Sequence, residues 1–420
     1  MKENIVLSKK NKSVSGTIEL TGSKSECNRA LIIEALSRGK VRVENVSDAM
    51  DTYTLQMMLK SNLNNQKFGD IESQIDIGPA GTAMRFLTAY LTLQANTVTL
   101  TGSERMKQRP IGILVNALRE LGAHIEYTGN EGFPPLRIKG GFEQQNDKIG
   151  IKGDISSQYI TALLLIAPLL PKGLILHIEG ELTSRPYVEM TLAMLRQAGI
   201  QHRWVGNNIH IEHQEFKETT LPVEPDWSAA SYWYSIAALA DEAELFLPGL
   251  TAYSLQGDSV ITEIMANFGI TSQFRDGGVY LKKEAKPVSR KIFDLKSCPD
   301  LAQTIIVLCA ALGHDSTFTG LETLKIKETD RVLALQTELA RIGVKLVEKG
   351  QIYKLDCSER FIPENVFIHT YDDHRMAMAF APLALIIPEI EMEDYMVTEK
   401  SYPAFWEDLR KVGFVAEIKR

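Results

Sequence analysis

Two hydrophobic patterns alternate along the chain. In the first, an amphipathic helix ends in a small residue, usually glycine, and a strand follows: "ALRELGAHIEY", "MLRQAGIQHRW", "IMANFGITSQF", "ELARIGVKLVE" and "DLRKVGFVAEI". The marker glycines Gly122, Gly199, Gly269, Gly343 and Gly413 lie 77, 70, 74 and 70 residues apart, and "MLKSNLNNQ" reads as a degenerate first copy. Glycine just past a helix adopts the left-handed conformation and turns the chain into the next strand. Within the helix before Gly122, Ile111, Leu114, Val115, Leu118 and Leu121 form one apolar stripe.

The second pattern runs in phase with the first. Small or polar residues lead into helices that are apolar nearly all round: "SKSECNRALIIEAL", "GPAGTAMRFLTAYL", "SSQYITALLLIAPL", "DWSAASYWYSIAAL", "PDLAQTIIVLCAAL" and "DDHRMAMAFAPLAL". Such helices are expected to be buried. Short alternating segments such as "NTVTLTG", "LILHIEG" and "AELFLPG" read as strands. The chain is thus expected to contain six copies of one α/β unit, grouped as two sets of three in two similar lobes.

Composition narrows the function. At 420 residues the chain exceeds one ordinary core. Its 44% apolar and 24% charged residues are those of a soluble globular protein, and its charge of −7 argues against nucleic acid as a partner. Cys27, Cys298, Cys309 and Cys357 have no zinc spacing. With no signal peptide in "MKENIVLSKKNKSVSG", free thiols in a reducing cytoplasm are expected. The apolar runs fall short of the ~18 residues that a membrane span needs.

The buried helices begin with residues that a core does not need. "TGSKSECNRALIIEAL" sets Lys24, Ser25 and Arg29 at a helix start, where free N–H groups and the helix dipole favour an anion. "GPAGTAMR" has small residues through Gly81 that admit a ligand to the backbone, or merely form a tight turn. "SERMKQRPIG" gathers Arg105, Lys107 and Arg109 before a Pro-initiated helix, although a charge run is usually a solvated face. "DISSQYITAL" offers Ser156, Ser157 and Gln158; one serine suffices as a cap, which leaves Gln158 idle unless it meets a ligand. "LTSRPYVEM" puts Ser184 at another helix start, again with capping as the plain alternative.

The second half adds acids. Asp300 in "SCPDLAQT" stands where an N-cap carboxylate is common. "KIKETDRV" packs Lys327, Glu328, Asp330 and Arg331, with an exposed i,i+3 Glu328–Arg331 pair as the plain alternative. "YDDHRMAMAF" leads a buried helix with Asp373, His374 and Arg375, which is costly unless they are paired or bound to an anion. "TEKSYP" places Lys400 before the last helix. Together these segments bring cations, serines and two proton-carrying carboxylates to element ends, a set suited to phosphates and carboxylates.

These stretches resemble the enolpyruvyl transferase family, in the branch that acts on shikimate 3-phosphate. "GSKSECNRAL", "GPAGTAMR", "RMKQRPIG", "SSQYITALLL", "DWSAASY", "PDLAQT", "KIKETDR", "DDHRMAMAF" and "EKSYP" occur in the family's order, from about residue 20 to 405. The resemblance implies an inside-out α/β barrel fold of the α+β kind, with two lobes of three β-α-β-α-β-β units whose parallel helices are buried among small sheets. It assigns residues 23–224 to one lobe and residues 1–22 with 225–420 to the other, with the active site in the cleft between them. It also implies transfer of the enolpyruvyl group of phosphoenolpyruvate to the 5-hydroxyl of shikimate 3-phosphate, with no metal or organic cofactor. A cytoplasmic, stand-alone monomer is expected.

By the same resemblance, Lys24, Ser25, Arg29, Ser156, Ser157, Gln158, Ser184, Asp300 and Lys327 hold shikimate 3-phosphate. Lys24, Gly81, Arg109, Gln158, Arg331, Arg375 and Lys400 hold phosphoenolpyruvate. Asp300 is the base at the 5-hydroxyl, Glu328 the proton donor and acceptor at the transferring carbons, and Lys24 a further catalytic group. The chain departs from the family at Pro79 (commonly Asn), Thr323 (Asn in many members) and Phe86 (frequently Pro), none of which removes a proposed charge. Two alternatives remain: the related transferase acting on UDP-N-acetylglucosamine, which usually employs a loop cysteine absent from residues 100–112 here, and a phosphometabolite binder, which needs neither Asp300 nor Glu328.

Overall fold

The computed structural model describes residues 2–64, 73–284, 286 and 288–419. The last two residues of "MLKSNLNNQ" lie outside them. Contacts divide the chain into two units, Lys24–Val223, and Met1–Ser23 with Glu224–Arg420. Ser23 and Glu224 go with the second unit, one residue from each expected boundary, because the Ser23 N–H donates to the Glu224 carbonyl at 2.7 Å.

One strand order recurs. In the unit Lys24–Val223, Ser73–Asp76 runs parallel to Thr97–Thr101, which pairs antiparallel with Leu136–Lys139, itself antiparallel to His124–Tyr127. Lys148–Lys152, Leu174–Glu179, Asn208–Ile211 and Arg203–Val205 repeat that order. The first copy pairs Val41–Glu44 in parallel with Thr219–Pro222, so a strand from the end of the unit takes the first place in its opening sheet.

The second unit closes on itself in the same way. Ser13–Thr17 is the first strand beside Glu242–Pro248, followed by Gly278–Lys283 and Ile270–Arg275. Ile292–Asp294, Ser316–Thr319, Ile352–Asp356 and Lys345–Lys349 form the next sheet. In the last, Asn365–Ile368 and Glu389–Met392 come first, and Asn4–Ser8 fills the third place, between Glu389–Met392 and Val415–Lys419. The N-terminal residues therefore complete two sheets whose other strands lie more than 200 residues on.

Apolar helices form the cores. Lys24–Leu36, Gly81–Thr92 and Ser157–Ile166 pack on one another in the first unit; in the second, Ala302–Leu312 packs on both Trp227–Leu239 and His374–Phe380. Two of the expected helices carry a proline near their end and stop early. Ser157–Ile166 passes into a 3₁₀ turn, Ala167–Leu169, at Pro168, and His374–Phe380 does so at Pro382. Proline lacks the N–H that the next helical turn needs. The companion helix Gly112–Leu121 buries Leu114, Val115, Leu118 and Leu121 as the stripe predicts. It ends at Gly122, with φ 114°, and the Ala123 N–H returns to the Leu118 carbonyl at 2.9 Å. At the equivalent Gly343, with φ 73°, a Cβ would stand 2.1 Å from the Glu359 carbonyl oxygen, so the turn admits no side chain.

Candidate functional site

In the unit Lys24–Val223, two side-chain contacts set three helix N-termini at one level. Gln158 and Thr82 are each the second residue of their helices, and Gln158 Nε2 donates to Thr82 Oγ1 at 3.2 Å. Arg29 and Thr161 lie about one turn into theirs, and Arg29 Nη2 donates to Thr161 Oγ1 at 3.4 Å. The N-terminal turns of the three helices therefore lie beside one another, a setting that favours anions.

Lys24 opens the first of these helices. Its Nζ lies 3.3 Å from Asp51 Oδ2, and the pair is largely buried rather than solvated. Ser25, beside it, accepts from Arg29 Nη1 through its carbonyl at 2.7 Å. Arg29 also donates to Thr191 Oγ1 at 2.8 Å and to the Tyr187 carbonyl at 3.3 Å. Only 2% of Arg29 is exposed, and burial pulls its guanidinium down to about 10, still protonated at neutral pH. The Phe86 ring, where the sequence departs from the family, lies 5.6 Å from the Arg29 guanidinium carbon.

Arg109 lies on Gly81. A Cβ on that glycine would meet Arg109 Nη1 at 2.6 Å, so the missing side chain lets the guanidinium lie against the helix mouth. The Pro110 carbonyl, next along, accepts from Arg85 Nη2 at 3.0 Å and Tyr159 Oη at 2.5 Å, which fixes the loop that carries Arg109. Pro110 does not open the following helix as expected: Ile111 is its N-cap and Gly112 its first residue. Lys107 is on the surface, paired with Glu104 at 2.7 Å, and Arg105 is exposed, so these two follow the plain reading of a charge run.

Ser156 caps its helix by accepting the Gln158 N–H at 3.3 Å, and Ser157 is buried beside it. Gln158 is not idle even without a ligand, because Thr82 engages its side chain. Ser184 stands at the N-cap position of Arg185–Gln197 with φ 54°, but its side chain caps none of the described N–H groups. The left-handed backbone there turns the hydroxyl away from the capping direction.

The other unit gathers the acids and the remaining cations into one network. Arg331, first residue of the helix Arg331–Ala340, is 2% exposed. Its Nε donates to Asp373 Oδ2 at 2.7 Å, its Nη2 to Glu328 Oε2 at 2.9 Å, and its Nη1 lies 3.6 Å from Asp300 Oδ1. Lys400 Nζ is 3.2 Å from Glu328 Oε1. Arg375 Nη2 is 2.8 Å from Asp300 Oδ2, with Nη1 3.4 Å from Tyr232 Oη. Burial alone would lower the Arg331 proton affinity; Asp373, Glu328 and Asp300 outweigh it and hold the guanidinium above its ordinary value.

Two plain alternatives fail here. Asp300 is not an N-cap: Cys298 holds that position before the 3₁₀ turn Pro299–Leu301 and Leu301 before the helix Ala302–Leu312, and the Asp300 carboxylate pairs with Arg375 and Arg331. The Glu328–Arg331 pair exists, but it is buried rather than on an exposed face. Asp330 and Asp373 are the caps, accepting from Leu333 N at 3.0 Å and Arg375 N at 2.9 Å. His374 is buried, with Nδ1 3.6 Å from Asp373 Oδ1. Lys327 is half-buried just past the 3₁₀ turn Glu322–Ile326, which contains Thr323, and Pro79 is exposed beside Gly78.

Sequence reasoning assigned no role to Asp51, Arg85, Tyr159, Tyr232 or Asp373. All of these but Asp51 stood inside quoted motifs, and Arg85 lies four residues from Gly81, whose carbonyl it reaches at 3.1 Å. All four cysteines are free thiols, and burial raises each of them. Among the described residues, no group of three or more His, Cys, Asp or Glu is placed to hold a metal ion, and no helix is long and apolar enough to cross a membrane.

Comparison with known proteins agrees with this architecture. The family model of EPSP synthase (3-phosphoshikimate 1-carboxyvinyltransferase) matches residues 8–409. A Bacteroides fragilis protein called 3-phosphoshikimate 1-carboxyvinyltransferase is 49% identical over 407 residues, 96% of this chain and 97% of that protein. A Sodalis glossinidius protein of the same name is 37% identical, covering 94% of each. The solved structure of EPSP synthase from Acinetobacter baumannii superposes with a TM-score of 0.76 over 100% of both chains at 20% identity, which shows the shared fold. This chain belongs to the EPSP synthase family.

Proposed function

We propose that this enzyme transfers the enolpyruvyl group of phosphoenolpyruvate to the 5-hydroxyl of shikimate 3-phosphate, releasing phosphate and forming 5-enolpyruvylshikimate 3-phosphate. The observation that supports it most is the sharing of cations by two carboxylates: Glu328 between Lys400 and Arg331, Asp300 between Arg375 and Arg331. A binder of phosphometabolites would gain nothing from acids that compete with its anion for those cations.

In this reading Arg331, Arg375 and Lys400, with Lys24, Gly81, Arg109 and Gln158, receive phosphoenolpyruvate. Lys24, Ser25, Arg29, Ser156, Ser157, Gln158, Ser184 and Lys327 receive shikimate 3-phosphate. Glu328 gives a proton to the methylene carbon of phosphoenolpyruvate, which makes its C2 electrophilic. Asp300 takes the proton of the 5-hydroxyl as that oxygen bonds to C2, giving a tetrahedral intermediate that still carries its phosphate. Cleavage of the C2–O bond then releases phosphate, Glu328 takes a proton back from the methyl carbon, and the double bond re-forms. The guanidiniums stabilise the departing phosphate's charge. Asp300, 2.8 Å from the Arg375 guanidinium and 3.6 Å from that of Arg331, is the carboxylate read as the base.

The test is release of phosphate from phosphoenolpyruvate with shikimate 3-phosphate or UDP-N-acetylglucosamine as acceptor. Release only with the first is expected; release only with the second, or binding without release, would overturn the reading.

A further inference from the structure

The Arg331–Asp373 pair is held by a second, buried link between the same two elements. Arg331 begins a helix on which Glu338 follows seven residues later, two turns on and on the same face, about 10 Å along the axis. Asp373 ends the loop that runs from the strand Asn365–Ile368 to the helix His374–Phe380. Glu338 reaches that loop at two points: Oε1 accepts from Tyr371 Oη at 2.6 Å, and Oε2 from the His369 backbone N–H at 3.2 Å. Oε2 also accepts from Arg341 Nε at 2.7 Å.

Helix and loop are thus joined by two rungs with opposite polarity. At one the helix supplies the cation and the loop the carboxylate; at the other the helix supplies the carboxylate and the loop its donors. Glu338 is fully buried, which is costly for a carboxylate unless its hydrogen bonds are made. The loop also needs holding. Tyr371 and Asp372 are consecutive residues in the left-handed region, with φ 56° and 55°, a conformation that costs a non-glycine residue about 1 kcal/mol or more. Burial, and then the bond to Glu338, raises the Tyr371 hydroxyl to about 12, so it stays a donor at neutral pH.

We propose that Glu338 and Tyr371 are positioning residues for the reaction, fixing the strained loop so that Asp373 holds the Arg331 guanidinium in the orientation that receives phosphoenolpyruvate. The proposal rests on the reading of Arg331 given above. It predicts an effect on one substrate only, since the loop meets the network through Asp373, and both partners of Asp373, Arg331 and Arg375, are ones read above as receiving phosphoenolpyruvate.

Tyr371→Phe is the decisive variant, because it removes one hydroxyl and leaves Glu338 its other two donors. We expect the KM for phosphoenolpyruvate to rise three- to tenfold, with the KM for shikimate 3-phosphate unchanged and the protein folded by circular dichroism. Glu338→Gln should raise the same KM. The double variant should be no worse than the more affected single variant, since both break one link. A lowered melting temperature with both KM values within twofold of wild type would make the link purely structural and overturn the proposal. So would equal rises in both KM values. Wild-type enzyme that releases no phosphate would instead overturn the function on which the proposal rests, and the two failures are distinguished by that control.

Discussion

The Asp300 carboxylate sits 2.8 Å from the Arg375 guanidinium, while Leu301, not Asp300, stands at the N-cap of the helix that follows, Ala302–Leu312. A cap would have its oxygens on the first backbone N–H groups of that helix, and its removal would weaken the helix. Here removal of the carboxylate leaves the N-cap positions, Cys298 for the 3₁₀ turn and Leu301 for the helix, as they are, and takes away the proposed proton acceptor. Asp300→Ala is therefore expected to lower kcat by about 10²–10⁴-fold, with a much smaller change in the Kd of shikimate 3-phosphate. Steady-state kinetics beside calorimetric binding would check this; equal losses in both would reduce Asp300 to a binding group.

Glu328 occupies two of the cations proposed to receive phosphoenolpyruvate, Lys400 at 3.2 Å and Arg331 at 2.9 Å. A neutral amide of the same shape relieves that competition and removes the acid. Glu328→Gln should lower kcat by at least about 100-fold while phosphoenolpyruvate binds as tightly as in wild type, or more tightly. The distinguishing measurement is its Kd in the presence of shikimate 3-phosphate, and weaker binding would show that Glu328 holds the cations in place rather than competing for them.

The sixfold rhythm was legible because its two signals are local. A glycine after an amphipathic helix forces the same turn each time, as at Gly122 and Gly343, and a helix apolar on every face has nowhere to go but the core. The charged helix starts were legible for the same reason: Arg331 and Arg375 stand out against apolar neighbours. Their partners were not. Asp373 lies 42 residues from Arg331, Asp51 27 residues from Lys24, and Thr191 162 residues from Arg29. Pairings of that range leave no period in the chain: Lys24 meets Asp51 where the two helices of the first copy pack, and the other two pairs form only when different copies meet. Gln158 shows the same limit, since its partner Thr82 belongs to another copy 76 residues away.

Arg29 tests how far its motif speaks for a ligand. Its guanidinium already serves Thr191, Thr161 and two backbone carbonyls inside the protein. Arg29→Ala would leave those groups buried without their donor, and is expected to lower unfolding free energy by about 2–4 kcal/mol. Urea denaturation of the variant and wild type would measure it. An unchanged midpoint, with only the KM for shikimate 3-phosphate raised, would show that Arg29 serves the substrate and not the packing.

Asp258 predicts a pH dependence whose sign is fixed by its surroundings. It is buried, with Oδ2 accepting from Ser228 Oγ, and it faces Asp300, Arg375 and Asp226. Burial first, then the Asp300 charge, push it up to about 7 from an ordinary value of 3.8; Ser228 and Arg375 pull the other way without cancelling the rise. Between those two values the folded protein binds more protons here than the unfolded chain does. This contribution to stability is therefore complete below about pH 4 and lost as pH rises through about 7. Asp258→Asn keeps an acceptor for Ser228 but no longer ionises. The melting temperature of the variant, measured against wild type, should climb by about 2 °C or more between pH 5 and pH 8. A difference that stays flat across that range would mean that Asp258 is ionised throughout, held so by Arg375.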